Sequence, residues 1–383
     1  MELQGVYLSR ARTLARPRIR QPAQNESSSG AHFGKDGCVM RAALLQSERY
    51  IVLTEAPMPT IHAADQVLIR VRRVGVCGSE VHAFHGSHPF RKAPVILGHE
   101  MAGDVMSIGQ GVTNFRAGDR VVVDPQWTCG QCEYCRAGDI NLCPSKKVLG
   151  TPGWPGAFGE YILAPERAAF ALPDTMSYAQ GSLIEPLSVA LHVARQARLA
   201  PGESVAILGS GSIGGLLAGA CRVQGAQPII TADIHQHCLD AARERLGATH
   251  DYLLPDDGLV DTAKGLTGGQ GVDVVFITAD DVSLVNLGIR MARCRGRIVL
   301  VALLTHAPLQ LTALDIIGKE LCIQGSTMTN HHDVRMAIEL AASGLVDVEA
   351  ILTHQLPIED AQRGLELADT KADAAIKVIL SFD

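Results

Sequence analysis

The first half of the chain alternates apolar and polar positions over short segments, as half-buried β-strands do. Residues 66–74 and 118–124 show this pattern, and turn glycines occur between them from Gly103 to Gly111. Short strands separated by glycines predict a small, barrel-like β domain that begins near Met40.

The pattern changes near residue 185, where apolar residues take helical spacing. The helical segment 183–199 ends at Ala200-Pro-Gly202, which is a helix stop signal. Apolar strands then alternate with helical stretches, and this alternation predicts an α/β architecture with a parallel, doubly wound sheet. The predicted strands are residues 204–208, 227–233, 272–277 and 296–301, followed by a helix at 332–343 and closing strands.

These patterns divide the chain into a tail and two domains. Residues 40–185 and 326–383 form the β-rich domain, which includes a cysteine lobe at 125–145, and residues 186–325 form the sheet domain. The tail, residues 1–39, lacks apolar periodicity and contains five arginines between Arg10 and Arg20 without a signal-peptide core. We interpret it as a disordered tail, with an organelle-targeting extension or an upstream start codon as alternatives.

The composition excludes several classes of protein. Of the 383 residues, 47% are hydrophobic and 19% are charged, so the chain can bury a core and is not intrinsically disordered. The net charge of -6 offers no basic surface to nucleic acid or anionic lipid, and no apolar run reaches the length of a membrane-spanning helix. We therefore expect neither nucleic acid nor membrane as a partner.

Four of the ten cysteines lie close together, and the other six are scattered singly. Four thiolates that fold onto one point satisfy the tetrahedral demand of a structural zinc site, which has no open position for catalysis. A cluster of this kind beside single cysteines indicates reduced thiols and hence a cytoplasmic protein. The predicted zinc ligands are Cys129, Cys132, Cys135 and Cys143.

A glycine motif follows the first strand of the sheet domain and opens the next helix. Gly209-Ser-Gly-Ser-Ile-Gly214 has this context, which is that of a dinucleotide-binding turn. Gly209 allows the tight turn, Gly211 lets the backbone approach a pyrophosphate, and Gly214 lets helix and strand pack closely.

The acidic residue Asp233 stands nineteen positions after Gly214, at the end of the next predicted strand. A carboxylate there accepts hydrogen bonds from a ribose 2′-hydroxyl and repels a 2′-phosphate. Because no Arg or Lys follows Asp233 before Arg243, the sequence predicts NAD and not NADP as the cofactor.

A second metal site is predicted in the β-rich domain. Gly98-His99-Glu100 follows an apolar run, and Cys77-Gly-Ser-Glu-Val-His82 lies about twenty residues upstream. A thiolate, an imidazole and a carboxylate that come together suit a catalytic zinc with one open position.

The pattern Gly98-His-Glu-x2-Gly103-x5-Gly109, the cysteine cluster and the dinucleotide motif occur in this order. Together they resemble the zinc-dependent medium-chain alcohol dehydrogenase family, from about Met40 to Asp383. The resemblance implies a GroES-like β-rich catalytic domain and a Rossmann domain. The stretches Cys77-Gly-Ser-Glu-Val-His82 and Ile184-Glu-Pro-Leu-Ser-Val189 are most similar to the sorbitol (polyol) dehydrogenase branch, which includes butanediol and other secondary-alcohol dehydrogenases.

The resemblance implies a catalytic zinc held by Cys77, His99 and a carboxylate. Glu185 stands where the best-known alcohol dehydrogenases have a second cysteine ligand, and Glu100 directly follows His99. One of the two is implied to be the ligand and the other the partner of the zinc-bound water, and the sequence does not rank them.

The implied reaction transfers a hydride from a secondary alcohol or polyol to NAD and gives a ketone. The alkoxide proton is implied to leave through the Ser79 hydroxyl and the ribose hydroxyls to His82. The resemblance also places Ile213 on the pyrophosphate, and Val301 and Leu303 near the nicotinamide.

The substrate is open, because sorbitol dehydrogenases carry a polyol-facing Arg where residues 325–330 of this chain contain none. Alternatives with the same chemistry are an amino alcohol such as threonine, an inositol or a sugar phosphate. A non-enzymatic zinc- and nucleotide-binding module is disfavoured by the negative charge and by the intact Cys77, His99 and Glu185. The family also implies a homodimer or homotetramer, in which the predicted strand 296–301 and its neighbours supply the sheet edge.

Overall fold

The structure of the chain is a computed structural model that describes residues 37–255, 258–304 and 308–383. The first described strand begins at Val39, one residue before the predicted start of the β-rich domain. The predictions for residues 1–36 of the tail lie outside the described residues.

The β-rich half contains two main sheets. Its strands are β1 (Val39–Ser47), β2 (Tyr50–Pro57), β3 (Gln66–Val76), β4 (Val95–Ile96), β5 (Glu100–Ile108), β6 (Arg120–Val123), β7 (Gln126–Trp127), β8 (Lys147–Val148), β9 (Tyr161–Pro165) and β10 (Ala169–Ala171). Strands β17 (Leu352–Pro357) and β18 (Lys377–Ser381) return to it from the end of the chain. The smaller sheet has the order β2-β1-β4, and the larger has the order β10-β6-β5-β3-β18-β17, with β9 also paired to β3.

The long strand β3 organises the larger sheet. It pairs antiparallel with β5, β9 and β18, and its side chains at Val67, Ile69 and Val71 are fully buried. Because Gly75 near the end of β3 pairs with Glu100 at the start of β5, the residues that follow β3 and precede β5 lie close together.

The second half forms a parallel six-stranded sheet. Its strands are β11 (Val205–Leu208), β12 (Ile229–Asp233), β13 (His250–Leu253), β14 (Val272–Ile277), β15 (Ala292–Leu300) and β16 (Cys322–Gly325). The order β13-β12-β11-β14-β15-β16 is the doubly wound order of dinucleotide-binding domains, which confirms the predicted fold class. The segment 296–301 was predicted to supply the sheet edge together with its neighbours. Residues 297–300 pair on both sides, and the neighbouring strand β16 forms that edge.

Helices connect these strands, and several of them pack against the parallel sheet. They are α1 (Gly78–Phe84), α2 (Glu133–Ala137), α3 (Tyr178–Ser182), α4 (Ile184–Gln196), α5 (Ser212–Val223), α6 (Gln236–Arg245), α7 (Leu259–Leu266), α8 (Ser283–Met291), α9 (Ala313–Lys319), α10 (His331–Ala342) and α11 (Ala361–Thr370). Helix α4 ends three residues before the predicted end at Leu199, and Arg198 just beyond it adopts the left-handed conformation with φ of 52°. In the described ranges, none of the helices combines the length and the apolarity that crossing a membrane requires.

Candidate active site and metal centres

Cys77, Glu80 and His99 meet where β3 and β5 adjoin. Cys77 follows β3 and occupies the N-cap of α1, whereas His99 directly precedes β5. One potential ligand atom from each of the three residues lies within 4.8 Å of the others. The register of the β3–β5 pair therefore brings together two predicted zinc ligands, and it adds a carboxylate that was not among the predicted site residues.

The carboxylate of Glu80 orients His99. Its Oε1 lies 2.6 Å from His99 Nδ1 and 3.6 Å from Arg91 Nε, and its Oε2 accepts a hydrogen bond from the Cys77 N–H at 3.0 Å. Burial alone would raise the pKa of Glu80, but the neighbouring His99 and Arg91 and the Cys77 N–H lower it to about 2. Because Glu80 occupies Nδ1 of His99, the other ring nitrogen, Nε2, remains available to bind a metal, as in carboxylate–histidine–metal arrangements.

Glu100 is held by a buried lysine. Lys377 Nζ donates to both carboxylate oxygens, at 2.8 and 2.7 Å, and also to the Val76 carbonyl at 3.1 Å. Glu100 is fully buried, and a Cβ on Gly75 would lie only 2.1 Å from its Oε2. A glycine at position 75 thus makes room for this ion pair.

Glu185 lies in the first turn of α4 and is also close to His99. Its carboxylate, Glu100 and His99 form a second group of potential ligands within 4.8 Å of one another. Burial, with a contribution from the negative charge of Glu100, raises the pKa of Glu185 to about 7. Among the described residues, no side chain or backbone group donates a hydrogen bond to this carboxylate.

Ser79 and His82 lie three residues apart on α1 and share a face of that helix. The Ser79 hydroxyl is buried and has no hydrogen-bond partner among the described residues. The His82 ring lies 3.3 Å from Ser87 Oγ through Nδ1 and 3.5 Å from Asp280 Oδ2 through Nε2. A buried hydroxyl without a partner fits a position that a ligand completes.

The four clustered cysteines converge as predicted for a tetrahedral metal site. Their sulfur atoms lie within 4.8 Å of one another, with Cys129 Sγ 3.9 Å from Cys135 Sγ and 3.6 Å from Cys143 Sγ. Zinc–sulfur bonds of about 2.3 Å in a tetrahedron give sulfur separations of about 3.8 Å, so these distances fit zinc. The N–H groups of Gln131 and Cys132 lower the pKa of Cys129 to about 6, which favours its thiolate.

The glycine turn leaves a cradle at the N-terminus of α5. Gly209 has φ of 107°, and a Cβ on Gly214 would lie 1.8 Å from the Gly209 carbonyl oxygen, so neither position accepts a side chain. At Gly211, by contrast, a Cβ would meet nothing within 4 Å, which is open space beside the helix N-terminus. This arrangement fits the pyrophosphate of a dinucleotide.

The other predicted cofactor residues lie at the same end of the parallel sheet. Asp233 ends β12 and accepts hydrogen bonds from the N–H groups of Ser210 at 2.6 Å and His235 at 2.9 Å. Ile213 is the second residue of α5, and Val301 and Leu303 follow β15.

Three charged residues of this region were not predicted as site residues. Glu80 has a local signal, because it follows Cys77 within the motif that carries the resemblance. Lys377 is recognisable as a lone charge in the apolar segment Ala375-Ile-Lys-Val-Ile-Leu380. Arg91, which is 6% exposed and contacts His88 and the Leu149 carbonyl, has no signal in the sequence around it.

Family models and curated relatives agree on the class of protein. Residues 63–174 match the "Alcohol dehydrogenase GroES-like domain" and residues 212–343 match "Zinc-binding dehydrogenase". Sorbitol dehydrogenase of Bacillus subtilis (strain 168) is 36% identical over 345 residues, which cover 89% of this chain and 97% of that protein. Probable D-xylulose reductase A of Arthroderma otae is 34% identical over 345 residues, with coverage of 88% and 96%.

Solved structures of similar proteins contain nicotinamide cofactors. A putative zinc-binding dehydrogenase from Sinorhizobium meliloti 1021, bound to NADP, has a TM-score of 0.81 and 30% identity, with coverage of 90% of this chain and 100% of that one. An alcohol dehydrogenase from E. coli CFT073, complexed with NADH, has a TM-score of 0.83 and 27% identity with the same coverage. The chain therefore belongs to the zinc-dependent medium-chain alcohol dehydrogenase family, in its sorbitol (polyol) dehydrogenase branch, and is an oxidoreductase.

Proposed function

We propose that the protein oxidises a polyol or a related secondary alcohol to the ketone, with NAD as the hydride acceptor and zinc at the site around His99. The observation that carries the proposal is that His99 belongs to two groups of potential ligands, one with the thiol of Cys77 and one with the carboxylate of Glu185. This donor set suits a catalytic zinc that keeps one position open for substrate.

Glu185 supplies the carboxylate of this set. Glu100 is unsuited, because both of its oxygens are bound to Lys377, which is itself 2% exposed. Moving Glu100 toward a metal would leave the Lys377 ammonium buried without its partner, which costs several kcal/mol. Glu185 has no such bond to break among the described residues.

Zinc in this position would lower the pKa of a bound alcohol, and NAD would accept the hydride. The protein's own residues hold and orient the reacting groups. Glu80 fixes the ring of His99 through Nδ1, which leaves Nε2 directed at the metal. Ser79 would take the hydroxyl proton of the substrate and give up its own toward the ribose hydroxyls and His82. The His82 side chain, which is 17% exposed, would release a proton to solvent.

The choice of NAD rests on Asp233. Its carboxylate is tied to the glycine turn through the Ser210 N–H and lies at the end of β12, where the ribose of the cofactor binds in this fold. A 2′-phosphate there would meet a fixed negative charge.

A second zinc is proposed for the four-cysteine lobe, where it would stabilise the loop without taking part in the reaction. All ten cysteines are unpaired in the structure. Unpaired thiols and a metal site of this kind support a reducing compartment, and we propose the cytoplasm.

The test is NADH formation from a panel of polyols, butane-2,3-diol, inositols, sugar phosphates and threonine, with NADP in parallel. We expect oxidation of at least one polyol or secondary alcohol, with kcat/KM at least about tenfold lower for NADP, because ~1.4 kcal/mol of charge repulsion already gives that factor. A rate only with threonine, an inositol or a sugar phosphate would move the substrate to one of the alternatives. No rate on any member, in protein that binds NADH, would contradict the proposal.

A further inference from the structure

A contact between a histidine and an aspartate crosses from the β-rich half to the parallel sheet beside the proposed active site. His82 is on α1, and Asp280 follows β14, with 3.5 Å between His82 Nε2 and Asp280 Oδ2. The two side chains are 17% and 22% exposed, so the pair is partly shielded from solvent.

Asp280 lies next to the glycine turn that fits the dinucleotide. Thr278 Oγ1 donates to the Gly209 carbonyl at 2.6 Å, and the Ala279 N–H donates to the Leu208 carbonyl at 3.2 Å. Strands β11 and β14 are the neighbours between which the strand order of this sheet reverses, and such a reversal point is where cofactors bind in this fold. Asp280 therefore lies in the crevice that the cofactor and His82 share.

Asp280 is the carboxylate that faces His82 Nε2. On the same helix, Glu80 is bound to His99, and His85 Nε2 is bound to Asp369 at 2.8 Å. Within the described part of the chain, His88 also interacts electrostatically with His82. Nδ1 of His82 faces the neutral Ser87 hydroxyl.

We propose that Asp280 is a positioning residue for proton release, which holds the His82 ring across the crevice and stabilises its protonated form. This inference rests on the proposed function, in which the carbinol carbon gives its hydride to the nicotinamide and the hydroxyl gives its proton to Ser79. His82 then releases one proton to solvent in each turnover. In this scheme Asp280 itself exchanges no proton.

The charge of Asp280 has a measurable consequence. A carboxylate at this distance favours the imidazolium form of His82, and partial exposure weakens the effect. Asp280→Asn keeps the shape and removes the charge. We expect His82 in D280N to titrate about 0.5–1 pH unit lower than in the wild type. The ascending limb of the kcat–pH profile should shift to lower pH by the same amount.

The experiment uses the full chain, loaded with zinc and NADH and labelled at histidine Cε1, with His82→Asn to assign the resonance by its absence. The matched control is Asp281→Asn, because Asp281 is exposed and its carboxylate accepts from the Ser283 N–H instead. His82 in D281N should titrate at the same pH as in the wild type. In the H82N background, D280N should produce no further movement of the kcat–pH profile.

An unchanged His82 titration in D280N would overturn the proposal. So would a several-fold rise in the Kd for NADH with the titration unchanged, since Asp280 would then be a cofactor contact. If the wild type oxidises no alcohol, the proposed function fails, and the NMR titration still decides whether Asp280 acts on His82.

Discussion

Three glutamates surround His99, and their environments give them three different tasks. The neighbouring cations and the Cys77 N–H lower the pKa of Glu80 to about 2, and Glu100 is paired with Lys377. Glu185 has a pKa of about 7, raised by burial. Identical side chains whose environments push their pKa values apart often divide the labour of an active site.

The contrast between Glu185 and Glu100 predicts opposite phenotypes for the two glutamine variants. Glu185→Gln should lose zinc from the site around His99, because a carboxylate ligand is gone. Glu100→Gln should retain that zinc and lose about 3–5 kcal/mol of the free energy of unfolding, since it leaves Lys377 buried and unpaired. Zinc competition with a chelator and urea unfolding measure the two effects. Loss of this zinc in E100Q with retention in E185Q would reverse the proposed roles.

Individual candidate site residues could be predicted from the sequence where they belong to a short, contiguous motif. Cys77, His99 and Glu185 stand within recognisable stretches, but the sequence does not rank Glu185 and Glu100, because their difference is made by Lys377. The Lys377 ammonium meets the Val76 carbonyl across 301 positions of the chain, and only the β3–β18 pairing brings them together. The role of Arg91 was equally unpredictable from the sequence, since its contact with Glu80 forms only in the folded protein.

At the scale of elements, a buried network joins α4, which carries Glu185, to α10. Asp333 Oδ2 lies 2.7 Å from His192 Nδ1 and accepts a hydrogen bond from Arg195 at 2.9 Å. Burial alone would raise the pKa of Asp333, but its hydrogen bonds with His192 and Arg195 lower it below the usual value. Asp333 and His192 are 1% and 2% exposed, so their bond is shielded from water, whereas the Arg195 side chain is 40% exposed.

This network predicts a pH-dependent stability difference. Because the folded-state pKa of Asp333 is depressed, its contribution is fully present above the unfolded pKa of about 3.9 and disappears as the pH falls through the folded value. Asp333→Asn should therefore destabilise the protein by about 1.5–3 kcal/mol at pH 7, and the two curves should converge below about pH 4. Urea unfolding of chelator-treated protein measures this without metal release. Asp240→Asn, at an exposed pair with Arg243, is the control, and a difference from wild type that does not shrink as the pH falls below about 4 would contradict the account.

The boundaries of the elements were predictable to different degrees. Strand β14 has the predicted bounds Val272–Ile277, because an apolar run is flanked by glycine and by polar residues. Strand β15 begins four residues before the predicted 296, where Ala292 pairs with Val272 ahead of a register shift. Position within a sheet depends on topology, and the sequence alone does not tell that, of the segment 296–301 and its neighbours, the strand β16 forms the edge.

At the scale of the whole molecule, the edge of the parallel sheet is accompanied by exposed apolar side chains. Helix α9 leads into the edge strand β16, and its Leu314 and Ile317 are 78% and 72% exposed. An open strand edge beside apolar surface is a site for pairing with another chain. We propose that homo-oligomers form through this edge.

Leu314→Glu with Ile317→Glu should shift the protein toward the monomer, because burying the two charges at an interface is unfavourable. Sedimentation velocity measures the change. Leu345→Glu, at another exposed leucine, is the control and should leave the assembly as in the wild type. An unchanged oligomer in the double variant would exclude this edge.

The central claim is that zinc bound around Cys77 and His99 is required for NAD-linked oxidation. The most direct test removes zinc with a chelator, follows metal content and NADH formation on the best substrate, and then restores zinc. We predict two zinc ions per chain in the intact protein. Activity should be lost when zinc leaves the Cys77–His99 site and should recover when zinc is added back. Full activity in protein shown to be free of zinc at that site would contradict this claim.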